Sequence, residues 1–497
     1  MKLTLSEGIN GCTIITCTLG KDDNTPELSI QSLMPLPLNQ QITVIIPADK
    51  RFNTTSFCDA LKRYRPDKII VAGMEEMDLL SENFQYQHYT SPQAFYGSAQ
   101  KSEFFHENIL VFETDKYRFK NAFLDSKIRH TKLEVNFDAL AENIRYFQSK
   151  LKPNVQLMAL VKAFSYGSGS YEVACLMQLL GVDYLGVAAS DEGISLRRSG
   201  ITLPIVVLTP ELDNVAETIS YNLEPEIHNI RSLNTFVEAV NQVGLVGYPI
   251  HVKIDSGMHR QGFEMNDIDE LASIIRKNES IEVASAFTHL AATDEEKHDD
   301  FTRQQLNTFA EVSQALEDKL GCKFIRHALN SAGIERFPEG QFDMVRLGIG
   351  MYGGSTVSQA QTRVVSTLRS VVTQIKDITP NDTVGYGRIG EVKKHTRIAV
   401  VPIGYADGLN RRLSNGVGKF MINGQPAPII GNICMDLTMT DITGLDVKEG
   451  DEVIIFGDEP TIFELADKLG TITYEILTSV AARVKRVYTF TEKLFSL

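Results

Sequence analysis

The sequence predicts an α/β protein: a TIM-type (β/α)8 barrel followed by a mainly β C-terminal domain, with a small N-terminal α/β domain ahead of both. Three observations predict this. Short apolar runs alternate with amphipathic segments through the middle of the chain. After Gly353 the texture changes to closely spaced strands with Asn-Gly turns, and a strand–helix–strand pattern occupies the first part.

In the first part, Ile42–Ile46 and Lys68–Ala72 read as buried strands with Thr54–Arg63 as a helix between them. A domain of residues 1–128 is expected there, its junction lying near Asp125–His130. It carries no Gly-x-x-x-x-Gly-Lys-Ser/Thr loop and so no visible means of holding ATP.

The barrel is expected over residues 129–363. Its strands read as Val155–Val161, Tyr184–Ala188, Pro204–Leu208, a weaker Pro225–His228, Ile250–Ile254, Val283–Phe287, Phe324–Leu329 and Met344–Ile349. Helical patterns separate most of them, among them Ser170–Leu180, Ser232–Val243, Asp267–Lys277 and Phe301–Leu320. About eight strands over roughly 220 residues match the number and size of a (β/α)8 barrel. An open doubly wound sheet is the rival, disfavoured because no Gly-rich dinucleotide turn follows any of these strands.

Residues 364–497 are expected to form the β domain. Arg363–Lys376, Arg397–Ile403, Gly418–Ile422, Ala427–Gly431 and Glu452–Phe456 read as strands without intervening helices. Asn415-Gly416 and Asn423-Gly424 are tight-turn signals among them.

Composition narrows the function. The chain has 497 residues, 43% hydrophobic and 23% charged, as in ordinary globular proteins. A net charge of -14 argues against nucleic acid or an anionic membrane as partner, while leaving room for a local nest that binds one phosphate. No run approaches the ~18 apolar residues of a membrane helix. The opening Met1–Gly8 lacks the apolar stretch of a secretory signal, and the six cysteines are scattered without metal spacing. The expectation is a cytoplasmic protein with reduced thiols and no metal.

Chemistry in such a barrel collects at the carboxyl ends of the strands. The first strand runs into Lys162 and Tyr166, the fifth carries Lys253 and runs into Arg260, and the sixth runs into His289. The seventh meets Asn330 and Ser331, and the eighth holds Arg346, Gly348 and Ile349. Each alone has an ordinary reading: a solvated lysine, a satisfied core histidine, turn glycines. Together at one mouth they suit an aldehyde-bearing, phosphorylated cofactor. A lysine against an apolar strand is kept partly neutral, as a Schiff-base lysine must be, and backbone N–H groups near Ser331 and Gly348 can cradle a phosphate.

From about residue 130 onward the chain resembles the alanine racemases, pyridoxal 5'-phosphate enzymes of fold type III. The resemblance rests on Lys162-Ala-x-x-Tyr166-Gly167, His289, Asn330-Ser331-Ala332, Arg346-x-Gly348-Ile349 and Tyr352-Gly353 in the barrel. It continues through Gly385-Tyr386-Gly387, Gly404-Tyr405-Ala406-Asp407-Gly408, Cys434-Met435-Asp436 and Tyr474-Glu475 in the β domain. It implies interconversion of L- and D-alanine for peptidoglycan synthesis, by a homodimer with shared sites. Lys162 would bind the cofactor covalently and act as the base on one face of the substrate, with Tyr386 of the partner subunit as the base on the other. Arg346 would face the pyridine nitrogen, leaving the ring a weak electron sink that returns its proton quickly. Tyr166, Asn330, Ser331, Gly348, Ile349 and Tyr474 would bind the cofactor, with His289 against its ring. Arg260, Met435 and Tyr405 would meet substrate, cofactor oxygen or the entry. Lys253 aligns with a lysine that is carbamylated in many relatives; an unmodified lysine is the equal alternative.

The chain departs from the family in Phe164-Ser165 and Ser168 of the Lys162 loop, in Leu347, and in Asn432 and Leu437 around Cys434. Phe164 and Asn432 are expected to reshape the pocket and entrance. A racemase of broader range, a decarboxylase and a cofactor-binding scaffold without activity are the alternatives. Arg346 speaks against the decarboxylase, and the β domain with Tyr386 against a single-barrel binding protein. The N-terminal part, through Gly8–Ile15 and the entry His130–Asn136, resembles the C-terminal domain of the cell-wall ligase that adds D-alanyl-D-alanine. In some bacteria that ligase is fused ahead of an alanine racemase; without an ATP-binding domain, a remnant or a part of a longer protein is expected.

Overall fold

A computed structural model describes residues 2–7, 13–19, 26, 41–73, 75, 77–90, 108–113, 130–355, 357 and 361–491. The expected junction at residues 125–129, the 128/129 boundary and positions 8–12 of the N-terminal motif lie outside them. Two compact units form: Met1–Ala139 together with Val364–Leu497, and Leu140–Arg363.

The second unit is a closed eight-stranded parallel barrel. Its strands, first to eighth, are Gln156–Leu160, Tyr184–Val187, Ile205–Val207, Glu224–Ile227, Tyr248–Lys253, Ile281–Phe287, Ile325–His327 and Met344–Leu347. The eighth pairs back with the first through Met344↔Gln156 to Leu347↔Ala159. All eight lie within the expected runs or a few residues beyond them. The helices fall as expected too, with Ile230–Val243 started by the Asn229 side chain accepting from Ser232 N. Met158, Val206 and Met344 form a buried apolar cluster on three of the strands.

The first unit carries a twelve-stranded sheet. Its α/β portion contains the expected elements: strand Ile42–Pro47, helix Thr55–Tyr64 capped by the Thr54 hydroxyl, and strand Lys68–Ala72 parallel to the first. Strand Lys2–Glu7 pairs antiparallel with Lys485–Phe490, so both ends of the chain enter one sheet. Lys485–Phe490 in turn runs parallel to Lys132–Asn136. Phe137 packs its ring 4.9 Å from Tyr488.

Two expectations change. Arg363–Lys376 is two strands, Ser366–Val371 in the large sheet and Gln374–Ile378 in a three-stranded one. Between them the chain changes partner, Val372 N donating to Asp451 O and Thr373 N to Val400 O. Asn423-Gly424, with φ of 51° and 73°, closes the hairpin Ile422↔Gln425. Asn415-Gly416, also at positive φ, instead precedes strand Lys419–Ile422 without joining paired strands. Among the described residues no helix is long and apolar enough to cross a membrane, and no three side chains group to hold a metal.

Candidate active site

Lys162 follows the first barrel strand and enters an unusual turn. Ala163, Phe164, Ser165 and Tyr166 all take positive φ, at 52°, 55°, 49° and 53°. Ser165 N donates to Val161 O and Gly167 N to Ala163 O, both at 3.0 Å, closing a left-handed helical turn. Left-handed geometry costs an L-residue roughly 1–2 kcal/mol, so surrounding structure must hold it. Glu192 does so: its carboxylate accepts from Ala163 N and Ala188 N, each at 2.7 Å, tying the turn to the second strand's end. Burial, with Arg260 and Arg346 nearby, lowers the pKa of Lys162, the direction an amine nucleophile needs.

The turn delivers Tyr166 onto Tyr352, rings stacked at 4.8 Å. A Cβ at Gly348 would stand 2.7 Å from the Tyr166 phenol oxygen, so only glycine lets that hydroxyl approach the backbone there. Ser331 Oγ accepts from Gly348 N and Gly350 N at 3.1 Å each, keeping its own proton to donate. Asn330 caps the helix beginning at Ser331, its Oδ1 accepting from Gly333 N and Thr293 Oγ1. Tyr166, Asn330, Ser331, Gly348 and Ile349 thus frame one end of the mouth. A glycine cradle lined by hydroxyls and backbone N–H groups fits a phosphate.

Arg346, on the eighth strand and 3% exposed, is fixed on every side. Nη2 donates to Thr288 O and Ala328 O, and Nη1 to His327 O and His327 Nδ1. Burial brings its pKa down to about 10, so it remains a cation at neutral pH. From His327 a buried chain continues. Nε2 lies 2.9 Å from Ser285 Oγ, Ser285 Oγ 2.6 Å from His251 Nδ1, and His251 Nε2 2.8 Å from Glu224. With His327 Nδ1 accepting from arginine, each later link has one consistent proton: His327 to Ser285, Ser285 to His251, His251 to Glu224. Burial, then Arg346, keeps the His327 pKa well below the ordinary value.

Lys253, on the fifth strand, is buried with its ammonium 4.2 Å from the Phe287 ring centroid. Arg260 is exposed on a loop organised by Asp255, whose Oδ1 accepts from the backbones of Gly257, Met258 and His259. His289 is held neutral by burial and by Arg346, Lys253, Arg260 and Lys162. Glu226, absent from the sequence reading, is 1% exposed on the fourth strand.

Glu224, Glu226, His251, Ser285, His327 and Glu192 were all passed over. Five of them carried one signal. Polar residues two apart on apolar strands (Glu224/Glu226, His251/Lys253, Ser285 before Phe287, His327, Arg346) mark the inward face of a barrel.

The remaining sequence-predicted residues belong to the unit that holds the C-terminal residues. Tyr386 lies on a loop beginning with Gly385 at φ 79°, its side chain 70% exposed. Asn432, buried, donates to Tyr386 O at 3.0 Å, so this departure from the family secures the loop. Tyr405 N and Ala406 N donate to Cys434 O and Met435 O, bringing Tyr405 and Met435 together. Buried Asp407 fixes that corner by accepting from Gly404 N and from Arg483 Nε. Tyr474 lies on the helix Thr473–Thr478 beside Glu475; Glu475 and Tyr405 line the same cavity. Phe164, at the Lys162 turn, is 43% exposed.

Comparison with known proteins agrees across both units. The family described as alanine racemase, N-terminal domain, matches residues 135–356, and alanine racemase, C-terminal domain, matches 365–488. Alanine racemase 2 of Caldanaerobacter subterraneus subsp. tengcongensis is 36% identical over 383 residues, 75% of this chain and 98% of that protein. Alanine racemase 1 of Oceanobacillus iheyensis is 37% identical over 370 residues, 72% of this chain and 97% of that protein. The solved alanine racemase of Clostridium difficile 630 superposes with a TM-score of 0.69 at 35% identity, covering 73% of this chain and 97% of that one. The chain belongs to the alanine racemase family.

Proposed function

We propose that this protein interconverts L- and D-alanine at the barrel mouth, with pyridoxal 5'-phosphate as cofactor and two bases on opposite faces of the substrate. The observation that carries the reading is the mouth itself: an amine of lowered pKa on a braced left-handed turn, beside a glycine-and-hydroxyl cradle and a buried arginine. Bound there, the cofactor supplies an aldehyde to capture amines and a ring that draws electrons from Cα. Tyr166, Asn330, Ser331, Gly348, Ile349 and Tyr474 would hold its phosphate end, and His289 would lie against the ring. Arg346 would face the ring nitrogen. Because it stays protonated, it would discourage a proton there and favour return of the substrate proton over side reactions. Lys162 moves the proton on one face.

Tyr386 of a second copy moves it on the other, and the exposure of its side chain in the single chain supports that assignment. A homodimer with shared sites follows, with Arg260, Met435 and Tyr405 meeting the substrate. The product serves peptidoglycan synthesis in the cytoplasm. Residues 1–128, 129–363 and 364–497 are proposed as the three domains: an α/β domain, the cofactor-binding barrel and the β domain. The first is proposed as a remnant of a ligase C-terminal domain, and the parallel pairing of Ile42–Pro47 with Lys68–Ala72 supports its α/β character.

Racemisation of L- and D-alanine and of a panel of other amino acids, followed polarimetrically with the cofactor-loaded protein, tests the reading. Turnover of alanine above the rest is expected; none with any amino acid overturns it. Mixing Lys162→Ala and Tyr386→Phe proteins should restore about a quarter of the sites, the statistical share in exchanging dimers. No recovery after verified subunit exchange contradicts the shared site.

A further inference from the structure

Glu226 is a carboxylate in an unusual position. It sits on the inward face of the fourth strand, two residues after Glu224, which is already engaged by His251. Its strand pairs Glu226↔His251 and Ile227↔Val252, which sets Lys253 two residues further along the neighbouring strand on the same face. Both side chains are buried, at 1% and 7% exposure. Among the described residues Glu226 Oε1 has no hydrogen-bond partner, and the ring nitrogen nearest it, His228 Nδ1, stands off at 3.6 Å. A buried carboxylate with an oxygen left without a hydrogen bond needs nearby positive charge to stay ionised. The groups that face it are His228 on its own strand's end, Lys253 on the fifth strand, Arg260 on the loop after it, Arg346 on the eighth strand and Lys162 after the first.

We propose that Glu226 is a positioning residue of the racemisation site, the internal counter-ion that keeps Lys253 an unmodified ammonium and so sets the charge that Lys162 and Arg260 experience. The inference rests on the racemase reading above, whereas the adjacency of Glu226 and Lys253 rests on strand register and shared burial.

The chemistry is specific. Carbon dioxide adds only to a neutral amine, giving a carbamate and releasing a proton. An ammonium beside Glu226 has no lone pair to offer, and a carbamate there would set two buried anions together. Burial pushes Lys253 downward and Glu226 upward, and each counters the other's shift. Removing Glu226 therefore drives Lys253 toward the neutral, reactive amine and takes a compensating anion away from Lys162, Arg260 and Arg346.

The test uses the full chain equilibrated with 13C-bicarbonate and followed by carbon NMR, alongside the pH profile of kcat/KM for the cofactor-loaded enzyme. The wild type is expected to show no carbamate signal that depends on Lys253. Glu226→Gln is expected to show one, abolished in the Glu226→Gln/Lys253→Arg double variant. kcat/KM should fall about tenfold with a displaced pH profile, partly restored by Glu226→Asp. A Lys253-dependent carbamate in the wild type, or a Glu226→Gln profile that superimposes on the wild type, overturns the proposal. Should Glu226→Gln melt too low to study, Lys253→Gln reads the pair from the other side. In 13C-glutamate-labelled protein Glu226 should then titrate higher than in the wild type, and an unchanged titration overturns the pairing. A wild type that racemises nothing would defeat the functional reading while leaving the carbon signals to decide the pairing.

Discussion

Arg346 Nη1 lies 2.9 Å from His327 Nδ1, and this contact ends a buried chain running back through Ser285 and His251 to Glu224. The guanidinium meets three carbonyls and a neutral imidazole, so among the described residues nothing anionic in direct contact offsets its charge. An arginine held this way is a rigid donor, and its rigidity depends on the histidine behind it.

His327→Ala removes the link that orients Arg346 and leaves Ser285 and the guanidinium short of a partner. The variant should lose about 1–3 kcal/mol of stability in urea unfolding and roughly tenfold or more in kcat/KM. Wild-type values for both would show that the chain plays no part.

The same histidines set an acid limit. His327 and His289 both have pKa values depressed well below 6.5 in the folded protein. On unfolding they regain ordinary values, so the unfolded state binds more protons below about pH 6.5. Their contribution is complete above that pH and is lost as the pH falls toward the depressed folded values. Stability should decline by up to about 1.4 kcal/mol per pH unit for each histidine in that window. Denaturant titrations between pH 7 and 5 check this, and His327→Gln should flatten the slope.

Gly348→Ala places a methyl 2.7 Å from the Tyr166 phenol oxygen. Tyr166 is stacked on Tyr352 and cannot swing aside cheaply. Cofactor affinity, read by equilibrium dialysis, should weaken about tenfold or more, the equivalent of roughly 1.4 kcal/mol. An unchanged affinity would remove Tyr166 from the cradle.

Deleting residues 1–128 strips Lys2–Glu7 from Lys485–Phe490 and exposes a strand edge. A loss of about 2 kcal/mol, or roughly 4–8 °C in the melting of the unit holding the C-terminal residues, is expected, with aggregation seen by light scattering. A truncated chain that melts and scatters like the full one would make the N-terminal segment an independent appendage.

The barrel was legible because each parallel strand is buried on both faces and so reads as a short apolar run. The mouth was legible where chemistry follows a run directly, as with Lys162 and His289. Inside the runs it was legible only in part: Lys253 and Arg346 stood out as charges on apolar strands, whereas His251, Ser285 and His327 each read alone as an ordinary core residue. The left-handed turn at Ala163–Tyr166 had no glycine to announce it, since Glu192, far along the chain, imposes it. Nor does any proline or glycine mark the break after Val371; competition between Asp451 and Val400 for successive N–H groups makes it.

The two-base exchange is tested most directly by solvent deuterium uptake at Cα of each alanine enantiomer, using cofactor-loaded Tyr386→Phe. With the phenol gone and Lys162 intact, D-alanine should still exchange its Cα proton, while exchange into L-alanine falls about a hundredfold or more. Equal exchange into both enantiomers would contradict the assignment of Lys162 and Tyr386 to opposite faces.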